Sequence, residues 1–521
     1  MKTELIDIEK LQEIIINQAQ ESSVQKEQIT TQEKRIQTQQ IEINHLKEKI
    51  DYLIRQHFTS KSEKLNPNQP TLFEDNEESI EVVEDEEIEI TFKRKRGGRT
   101  SPPTDIPRVR VEHDISDDEK ICSCGDTMHK IKELVSEQYD IVPAKFQVIQ
   151  NVRFVYGCRC GEKPSTTALA PFILPKTQVT ASFLATIAVQ KFEDALPLYR
   201  QAKIYKNRFG VPFNDTTLSN WMIKASEKLK HFKEKLKERL LENEYIQADE
   251  TTLQVVNAHK GKATKKSYIW LGVGMDKYKI VYMHYANNRS AVAATALLEG
   301  FSGFLQTDGY AGYNDVVKTN DMTHLACWAH ARRKFADIVK SGVSDPQSKS
   351  YAQEAITLIQ KLYKIEKEIK DDPPDKKLII RKEKSQPIIN TIREWINTKF
   401  YKAQELGGAI AKAFVYLNNQ FPKLKVYLTD GRLNIDNNGA ENHIRPMVLG
   451  RKNWLFATSV KGAEAIATWY TIIETAKANG LEPYHYLKYL MTEFPYYQRD
   501  GRDIEALLPW NVSADGIVRI S

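Results

Sequence analysis

The chain has 521 residues, of which 41% are apolar and 28% are charged, and its net charge is +6. At roughly 100–200 residues per domain this length predicts several domains, and the composition excludes a wholly disordered protein. No apolar run approaches the ~20 residues of a membrane span, and the start of the chain lacks the pattern of a secretory signal, which excludes a membrane-spanning or secreted protein.

Residues 1–58 are predicted to form a coiled coil, because apolar residues recur at heptad spacing. Isoleucine fills most a positions, whereas four successive glutamines weaken the seam at d. The a positions are Ile8, Ile15, Ser22, Ile29, Ile36, Ile43 and Ile50, and the d positions are Leu11, Gln18, Gln25, Gln32, Gln39, Leu46 and Leu53. The pattern favours an intermolecular coiled coil, and hence a homodimer or a higher oligomer. A single charged helix on its own protein is the alternative.

Residues 59–110 are predicted to be a disordered linker with an acidic part and a basic part. Segment 74–89 has ten acidic residues and no basic one, and segment 93–110 reads KRKRGGRTSPPTDIPRVR. Neither composition can build a core. The basic segment either lies along DNA phosphates or is a solvated tether. A basic chain with one acidic strip is typical of a protein that binds polyanions.

Four of the five cysteines form two close pairs, Cys122 with Cys124 and Cys158 with Cys160. Close pairs in a chain without a secretory signal are more typical of metal ligands than of disulfides. One intervening residue still allows both thiolates to reach one tetrahedral ion. We therefore predict a Zn²⁺-binding unit over residues 111–175, with unmetallated thiols as the alternative.

Residues 176–242 are predicted to be helical. The segments LYRQAKIYKNRFG and NDTTLSNWMIKASEKLKHF read as two helices around a turn, and Asn214 or Asp215 can cap the second one. Helix, glycine-containing turn and helix with basic and polar residues indicate a helix-turn-helix unit that reads DNA. Plain helical packing is the alternative.

The hydrophobic period changes to that of strands near residue 243. Three strand candidates follow at meander spacing, and then a helix, a strand, a helix and a strand. This order predicts a ribonuclease-H-like α/β core over residues 243–490, with three antiparallel strands continued by parallel ones. A helical insertion is expected at about residues 345–428, with a break at DDPPD (371–375). A C-terminal tail is expected over residues 491–521.

Three carboxylates stand out on this strand order. Asp249 lies near the end of the first strand, Asp308 ends the fourth, and Glu441 opens a later helix. The first and fourth strands are neighbours in such a sheet, so the two aspartates should meet there, and a helix across that end can add Glu441. Three oxygen donors suit Mg²⁺ or Mn²⁺, and two such ions stabilise both oxygens in phosphodiester cleavage. Taken singly, each acid could equally be a turn residue or a helix-dipole partner.

Two neighbouring acids are interpreted differently. Glu250 follows Asp249 directly and should point to the opposite face of the strand, away from the metal site. Asp436 lies in the loop LNIDNNGAEN, and a structural role in a turn is expected for it.

Long segments between residues 45 and 490 occur in the order of a known family. They include KFEDALPLYRQ, ADETTLQV, GFLQTDGYAGYN, CWAHARRKF and DGRLNIDNNGAENHIRPMVLGRKNWLFA. Through them the chain resembles the transposases of the insertion-sequence 66 group. The resemblance implies a leucine-zipper-like segment, a zinc unit and a DDE catalytic core whose acids correspond to Asp249, Asp308 and Glu441.

The resemblance also implies an activity and its partners. It implies Mg²⁺-dependent cutting of DNA at the ends of a mobile element and strand transfer into target DNA, in the cytoplasm of a prokaryote. Small accessory proteins encoded beside the element are expected partners. The chain departs from the family at the cysteine pairs, which often read Cys-x-x-Cys, and after Glu441, where Asn442 stands in place of a common arginine.

Basic residues near these segments are predicted to contact DNA phosphates. They are Arg332, Arg333, Arg445, Arg451 and Lys452. Simple solvation is the alternative for Arg332 and Arg333. A base could stack on Trp454 beside Lys452, but a buried position is favoured for this residue. Cys327 and His330 form a C-x-x-H pair that would need two more ligands to hold zinc. We expect His330 to have a structural or DNA-positioning role, with an ordinary core histidine as the alternative.

Two other functions are compatible with these residues. A nuclease of the same fold would cut DNA without joining it. A DNA-binding regulator assembled through the coiled coil and the zinc unit would have an inactive core, although the intact set of three acids argues against it.

Overall fold

The computed structural model describes residues 145–156, 166–167, 171–256, 258, 266–343 and 345–512, with three isolated positions nearer the start of the chain. The chain divides into two compact units, of which Ser60–Phe154 is one and the remainder the other. In the first unit, residues 145–154 are irregular and mostly exposed. The predicted linker and the four paired cysteines lie outside the described residues, as does nearly all of the predicted coiled coil.

From residue 155 onward, the described part of the second unit starts with two short paired strands and four helices. Strands β1 and β2 pair antiparallel. The elements are β1 (Val155–Tyr156), β2 (Thr166–Thr167), α1 (Ala181–Phe192), α2 (Leu198–Phe209), α3 (Asp215–Lys228) and α4 (Lys230–Leu241). Helix α2 ends at Gly210, which has a φ of 70° that favours glycine. The side chain of Asn214 caps α3 by accepting from the Thr216 amide, as the sequence predicted.

A mixed sheet follows, in the order β5-β4-β3-β6-β7, with β8 paired to the end of β3. Its elements are β3 (Tyr245–Val255), β4 (Lys266–Gly274), β5 (Val281–Ala286), α5 (Ala291–Leu298), β6 (Phe304–Thr307), α6 (Asn314–Thr319), β7 (Thr323–Ala326) and β8 (Phe456–Ala457). The first three strands are antiparallel, and β3, β6 and β7 are parallel. The predicted order of strands and helices is confirmed.

A helical insertion follows β7, and a short π-helical segment (Arg381–Ser385) interrupts it. The helices are α7 (Trp328–Ser341), α8 (Pro346–Glu368), α9 (Pro374–Ile380), α10 (Gln386–Leu406) and α11 (Gly408–Leu424). Their apolar faces form a second core with β7, separate from the larger core between the sheet and the remaining helices. The predicted break at residues 371–375 separates α8 from α9.

The last helices return to the sheet. They are α12 (Asn438–Trp454), α13 (Val460–Ala478) and α14 (Pro483–Asp500). The hydroxyls of Thr471 and Thr475 on α13 accept the amides of Met283 and Val281, at 2.9 and 3.1 Å. Helix α13 thereby satisfies the free edge of β5, which would otherwise offer unpaired donors to another chain.

The predicted C-terminal tail begins inside α14, and the described residues after it are folded. Leu507 and Leu508 are fully buried in the larger core. The segment packs against α14 itself, where the Tyr486 hydroxyl donates to the Leu507 carbonyl at 2.9 Å. In the part of the chain that the structure describes, every helix is too short or too polar to cross a membrane.

Candidate active site

The register of two parallel strands brings Asp249 and Asp308 together. Gln247 of β3 pairs with Gln306 of β6, and their side-chain amides are hydrogen-bonded at 2.7 Å. Both side chains therefore lie on one face of the sheet. Asp249 lies two residues after Gln247, and Asp308 lies two residues after Gln306. Alternation in the strand returns Asp249 to the face of Gln247, and Asp308 is the first residue after β6.

The third acid, Glu441, lies close enough to Asp249 for its charge to contribute to the raised pKa of that carboxyl. Burial raises the pKa of Asp249 well above its ordinary value, and the charges of Glu250, Asp308 and Glu441 raise it further. Burial also raises the pKa of Glu441, with Arg333 opposing this shift and Asp436 and Asp308 adding to it. Like charges held together in this way need a cation nearby to be stable in the ionised form.

Two buried amide side chains hold the start of α12 against β3. The Gln247 Nε2 atom donates to the Asp436 carbonyl at 3.0 Å, and its Oε1 atom accepts the Ala440 amide at 3.0 Å. Asn437 Nδ2 donates to the Ala248 carbonyl at 3.0 Å. Glu441 directly follows Ala440 on α12, so these hydrogen bonds hold it beside β3, the strand that carries Asp249.

Sequence reasoning missed the buried amide side chains of Gln247 and Gln306. Each of these residues precedes a predicted metal ligand by two positions, and both are fully buried. Same-face spacing was the signal that could have found them. The Gln306 Nε2 atom also donates to the Asn434 carbonyl at 2.9 Å, so one amide pair joins both strands to the loop before α12.

Gly439 allows this close approach of α12 to β3. A Cβ atom at this position would lie 2.3 Å from Gln247 Oε1. We expect Gly439→Ala to lower the free energy of unfolding by about 1–3 kcal/mol and to reduce DNA cleavage, as urea unfolding and a cleavage assay would measure. Gly462→Ala is the matched control, since a Cβ there meets its nearest atom at 3.4 Å. Equal effects of the two substitutions would contradict the tight contact.

Asp308 combines a turn with a place at the site. Its Oδ1 atom accepts the Tyr310 amide at 2.8 Å, and its Oδ2 atom lies 3.9 Å from Arg289. The Tyr416 hydroxyl of α11 donates to the Asp308 carbonyl at 2.7 Å. The turn interpretation and the site interpretation of this residue are therefore compatible.

Glu250 is engaged elsewhere. Its Oε1 atom accepts from Arg289 Nε at 2.8 Å and its Oε2 atom from the Tyr313 hydroxyl at 2.8 Å. Arg289 also lies over the ring of Tyr310, 3.8 Å from its centroid. Both carboxylate oxygens of Glu250 therefore accept a hydrogen bond, and Arg289 lies between Glu250 and Asp308.

Glu441 faces the first turns of α7. Its Oε1 atom lies 3.5 Å from His330 Nδ1, and its Oε2 atom lies 3.6 Å from Arg333. Burial lowers the pKa of His330 to about 4, and the charge of Arg333 lowers it as well. The imidazole thus lies against the Glu441 carboxylate, and its structural or DNA-positioning role stays a prediction.

The predicted DNA-contacting residues differ in their surroundings. Arg333 is exposed beside Glu441, and Lys452 is exposed near the end of α12. Arg332 and Arg445 are half-buried. The Arg451 guanidinium lies against β3, where Nη1 donates to the Thr251 hydroxyl at 3.2 Å and to the Thr252 carbonyl. A contact of Arg451 with DNA phosphate would need this side chain to leave the strand.

The donor set fits hard divalent ions. Asp249, Asp308 and Glu441 offer carboxylate oxygens, which Mg²⁺ and Mn²⁺ prefer, and the buried oxygen Glu441 Oε1 has no hydrogen-bond partner. Bound ions would also relieve the repulsion that raises the pKa of Asp249.

Two curated proteins are similar to the chain over most of its length. Curated proteins of Sinorhizobium fredii named Uncharacterized protein y4qI and y4jD are 33% and 29% identical to the chain. Alignment with the first covers 84% of this chain and 85% of the relative, and alignment with the second covers 91% and 95%. No solved structure matches the chain significantly.

Family profiles match the chain along most of its length. Residues 176–465 match the profile described as Transposase IS66 family, and residues 471–510 match the IS66 C-terminal element. Residues 119–161 match the zinc-finger binding domain of transposase IS66, and residues 45–111 match the profile described as Transposase C of IS166 homeodomain. Since the first profile covers more than half of the chain and includes all three acids, the chain belongs to the IS66 family of transposases.

Proposed function

We propose that the chain is a DDE-type polynucleotidyl transferase that binds transposon ends, cuts them and joins them to target DNA. The observation that carries the proposal is the convergence of Asp249, Asp308 and Glu441, which are far apart in the chain, at one edge of a mixed sheet. The strand order supports a ribonuclease-H-like core. Family membership supports the transposase class, and the acids supply its chemistry.

The proposed chemistry is in-line attack on phosphorus. Water attacks first, the bond from phosphorus to the 3′ oxygen breaks, and a 3′-hydroxyl end forms; that hydroxyl then attacks a target phosphate and displaces another 3′ oxygen. The three carboxylates would hold Mg²⁺ or Mn²⁺, which stabilises the charge on the attacking and leaving oxygens. The Gln247 and Gln306 amides fix the spacing of the acids, and no covalent enzyme intermediate is needed.

The remaining parts of the chain are assigned to DNA binding and assembly. Helix α2 carries four basic residues and no acidic one, and α1, α2 and α3 pack through the aromatic cluster Phe183, Tyr205, Phe213 and Trp221. This unit is proposed to contact the transposon end, together with the basic residues beside the acids. We assign Zn²⁺ binding to the four paired cysteines and oligomerisation to residues 1–58, with accessory proteins of the element as further partners.

The substitution Asp308→Asn tests the catalytic proposal. We expect it to retain binding to a labelled end oligonucleotide and to lose Mg²⁺-dependent cleavage by about 10³-fold or more, because one ligand of the ions is lost. Asp315→Asn, an exposed position on α6, is the matched control and should cut normally. Cleavage by Asp308→Asn at the parental rate would disprove the metal assignment.

A strand-transfer assay with pre-cut ends separates the transposase from a nuclease of the same fold. Joined products are expected from the parent protein and not from Asp308→Asn. Cleavage without joining would favour the nuclease, and tight end binding without any metal-dependent cleavage would favour a regulator with an inactive core.

A further inference from the structure

Three side chains with different donor atoms meet at the Glu441 side of the active site. Cys327 precedes α7, His330 lies in its first turn, and Glu441 comes from α12. One atom from each, the thiol sulfur, an imidazole nitrogen and a carboxylate oxygen, lie within 4.8 Å of one another. The sequence offered only the C-x-x-H pair, and the fold adds the third donor.

The ligand atoms of this cluster are largely buried, and two of them lack hydrogen-bond partners. Glu441 is 6% exposed, and Cys327 is fully buried. Neither Glu441 Oε1 nor His330 Nδ1 has a hydrogen-bond partner, although the two atoms face each other at 3.5 Å. Burial raises the pKa of the Cys327 thiol well above its ordinary value, and the Asn437 amide, which donates to Cys327 Sγ at 3.3 Å, opposes this shift. Buried polar atoms left without partners are costly, and a bound ion would remove that cost.

We propose that Cys327, His330 and Glu441 form a binding site for a borderline-soft divalent cation of the Zn²⁺ class. This site is separate from the four-cysteine unit, and its cation competes with the catalytic ions for Glu441. One sulfur, one nitrogen and one oxygen ligand, with water in the fourth position, match the coordination chemistry of Zn²⁺ and not that of Mg²⁺. The competition for Glu441 rests on the proposed function, because a cation bound at this site would remove Glu441 from the three catalytic carboxylates.

Arg333 occupies the place of a competing cation when no ion is bound. It lies 3.6 Å from Glu441 Oε2, and its Nη1 atom donates to His330 Nε2 at 3.3 Å. The ring must then carry its proton on Nδ1. Ion binding moves that proton to Nε2, releases the Cys327 thiol proton to solvent and requires the exposed Arg333 side chain to turn away. Loss of Arg333 should therefore strengthen the site, whereas loss of Cys327 should weaken it.

The test uses the full-length protein dialysed at buffered free Zn²⁺ concentrations, with bound Zn²⁺ measured by elemental analysis. We expect the parent to bind one equivalent more than Cys327→Ser, with the four-cysteine unit intact in both. Arg333→Gln should bind the same number as the parent, with an affinity about tenfold higher. A Co²⁺ titration should show thiolate-to-metal charge-transfer absorption that Cys327→Ser lacks in part.

Equal Zn²⁺ content in the parent and Cys327→Ser, or an unchanged affinity in Arg333→Gln, would overturn the proposal. Arg333→Gln alters an exposed side chain and should fold, so it tests the site even if the Cys327→Ser protein does not fold. Added Zn²⁺ should inhibit Mg²⁺-supported cleavage in the parent more than in Cys327→Ser. An extra Zn²⁺ site in a protein that never cuts DNA would refute the proposed function and leave the site standing.

Discussion

The substitution Asp249→Asn is expected to reduce Mg²⁺-dependent DNA cleavage by about 10³-fold or more and, at neutral pH, to raise the melting temperature of the metal-free protein. The first effect follows from the loss of an anionic oxygen that would hold the ions. The second follows from the removal of a buried charge that Glu250 and Asp308 repel. Asparagine keeps the oxygen that accepts the Glu250 amide at 2.8 Å.

The raised pKa of Asp249 determines how the stability of the metal-free protein changes with pH. Because burial and neighbouring acids raise the pKa of Asp249 in the folded state, its protonated form is favoured by folding. That stabilisation is fully present below the ordinary pKa of an aspartate, and it is lost as pH rises through the raised folded pKa. Metal-free parent protein should therefore lose melting temperature over this range, and Asp249→Asn should lose less.

Thermal unfolding with a chelator and with excess Mg²⁺, across pH 4–8, would measure the effect. Mg²⁺ should stabilise the parent at neutral pH and should stabilise Asp249→Asn much less, since binding to the folded state shifts its stability. The control Asp315→Asn should follow the parent in both series. A destabilised Asp249→Asn protein in the chelator would show that Asp249 has a structural role that outweighs the repulsion.

The sequence could predict the meeting of Asp249 and Asp308 because two simple rules determine it. Strand alternation sets the face of each side chain, and the order of strands makes β3 and β6 neighbours. The same offset of 59 residues separates each paired position and the two acids. Local patterns also predicted the Asn214 cap and the break before α9.

The remainder of the site depends on contacts that no local pattern encodes. Gln247 bonds to backbone atoms of residues 436 and 440, nearly two hundred positions away. The third donor beside Cys327 and His330 comes from α12, more than a hundred positions later. Such pairings follow from the packing of complete elements, and a single sequence carries no record of which distant element fills a given position.

The substitution Arg381→Met is expected to lower the free energy of unfolding by about 3–5 kcal/mol, a large fraction of the stability of a typical domain. Arg381 is 2% exposed and lies in the π-helical segment of the insertion. Its Nε and Nη2 atoms donate to both oxygens of Glu366, at 2.9 and 2.7 Å. Without Arg381, Glu366 would remain a largely buried charge without this partner.

The same guanidinium ties the insertion to the segment that leads to Glu441. Its Nη1 atom donates to the carbonyls of Tyr427 and Asp430, both at 3.0 Å, and its Nη2 atom donates to the Leu433 carbonyl at 2.9 Å. A lysine cannot reproduce this fork of donors, so Arg381→Lys should be destabilising as well. Both variants should also cut DNA more slowly, because the loop before α12 loses its anchor.

Urea unfolding of four variants would check this account. Arg393→Met, on the exposed side of the same insertion, is the control and should change the free energy of unfolding by about 0.5 kcal/mol or less. The double variant Arg381→Met with Glu366→Gln should recover part of the loss, because it removes the uncompensated charge. No recovery in the double variant would indicate that the three backbone carbonyls, and not Glu366, account for the cost. A fully stable Arg381→Met protein would show that the insertion holds the loop by apolar packing alone.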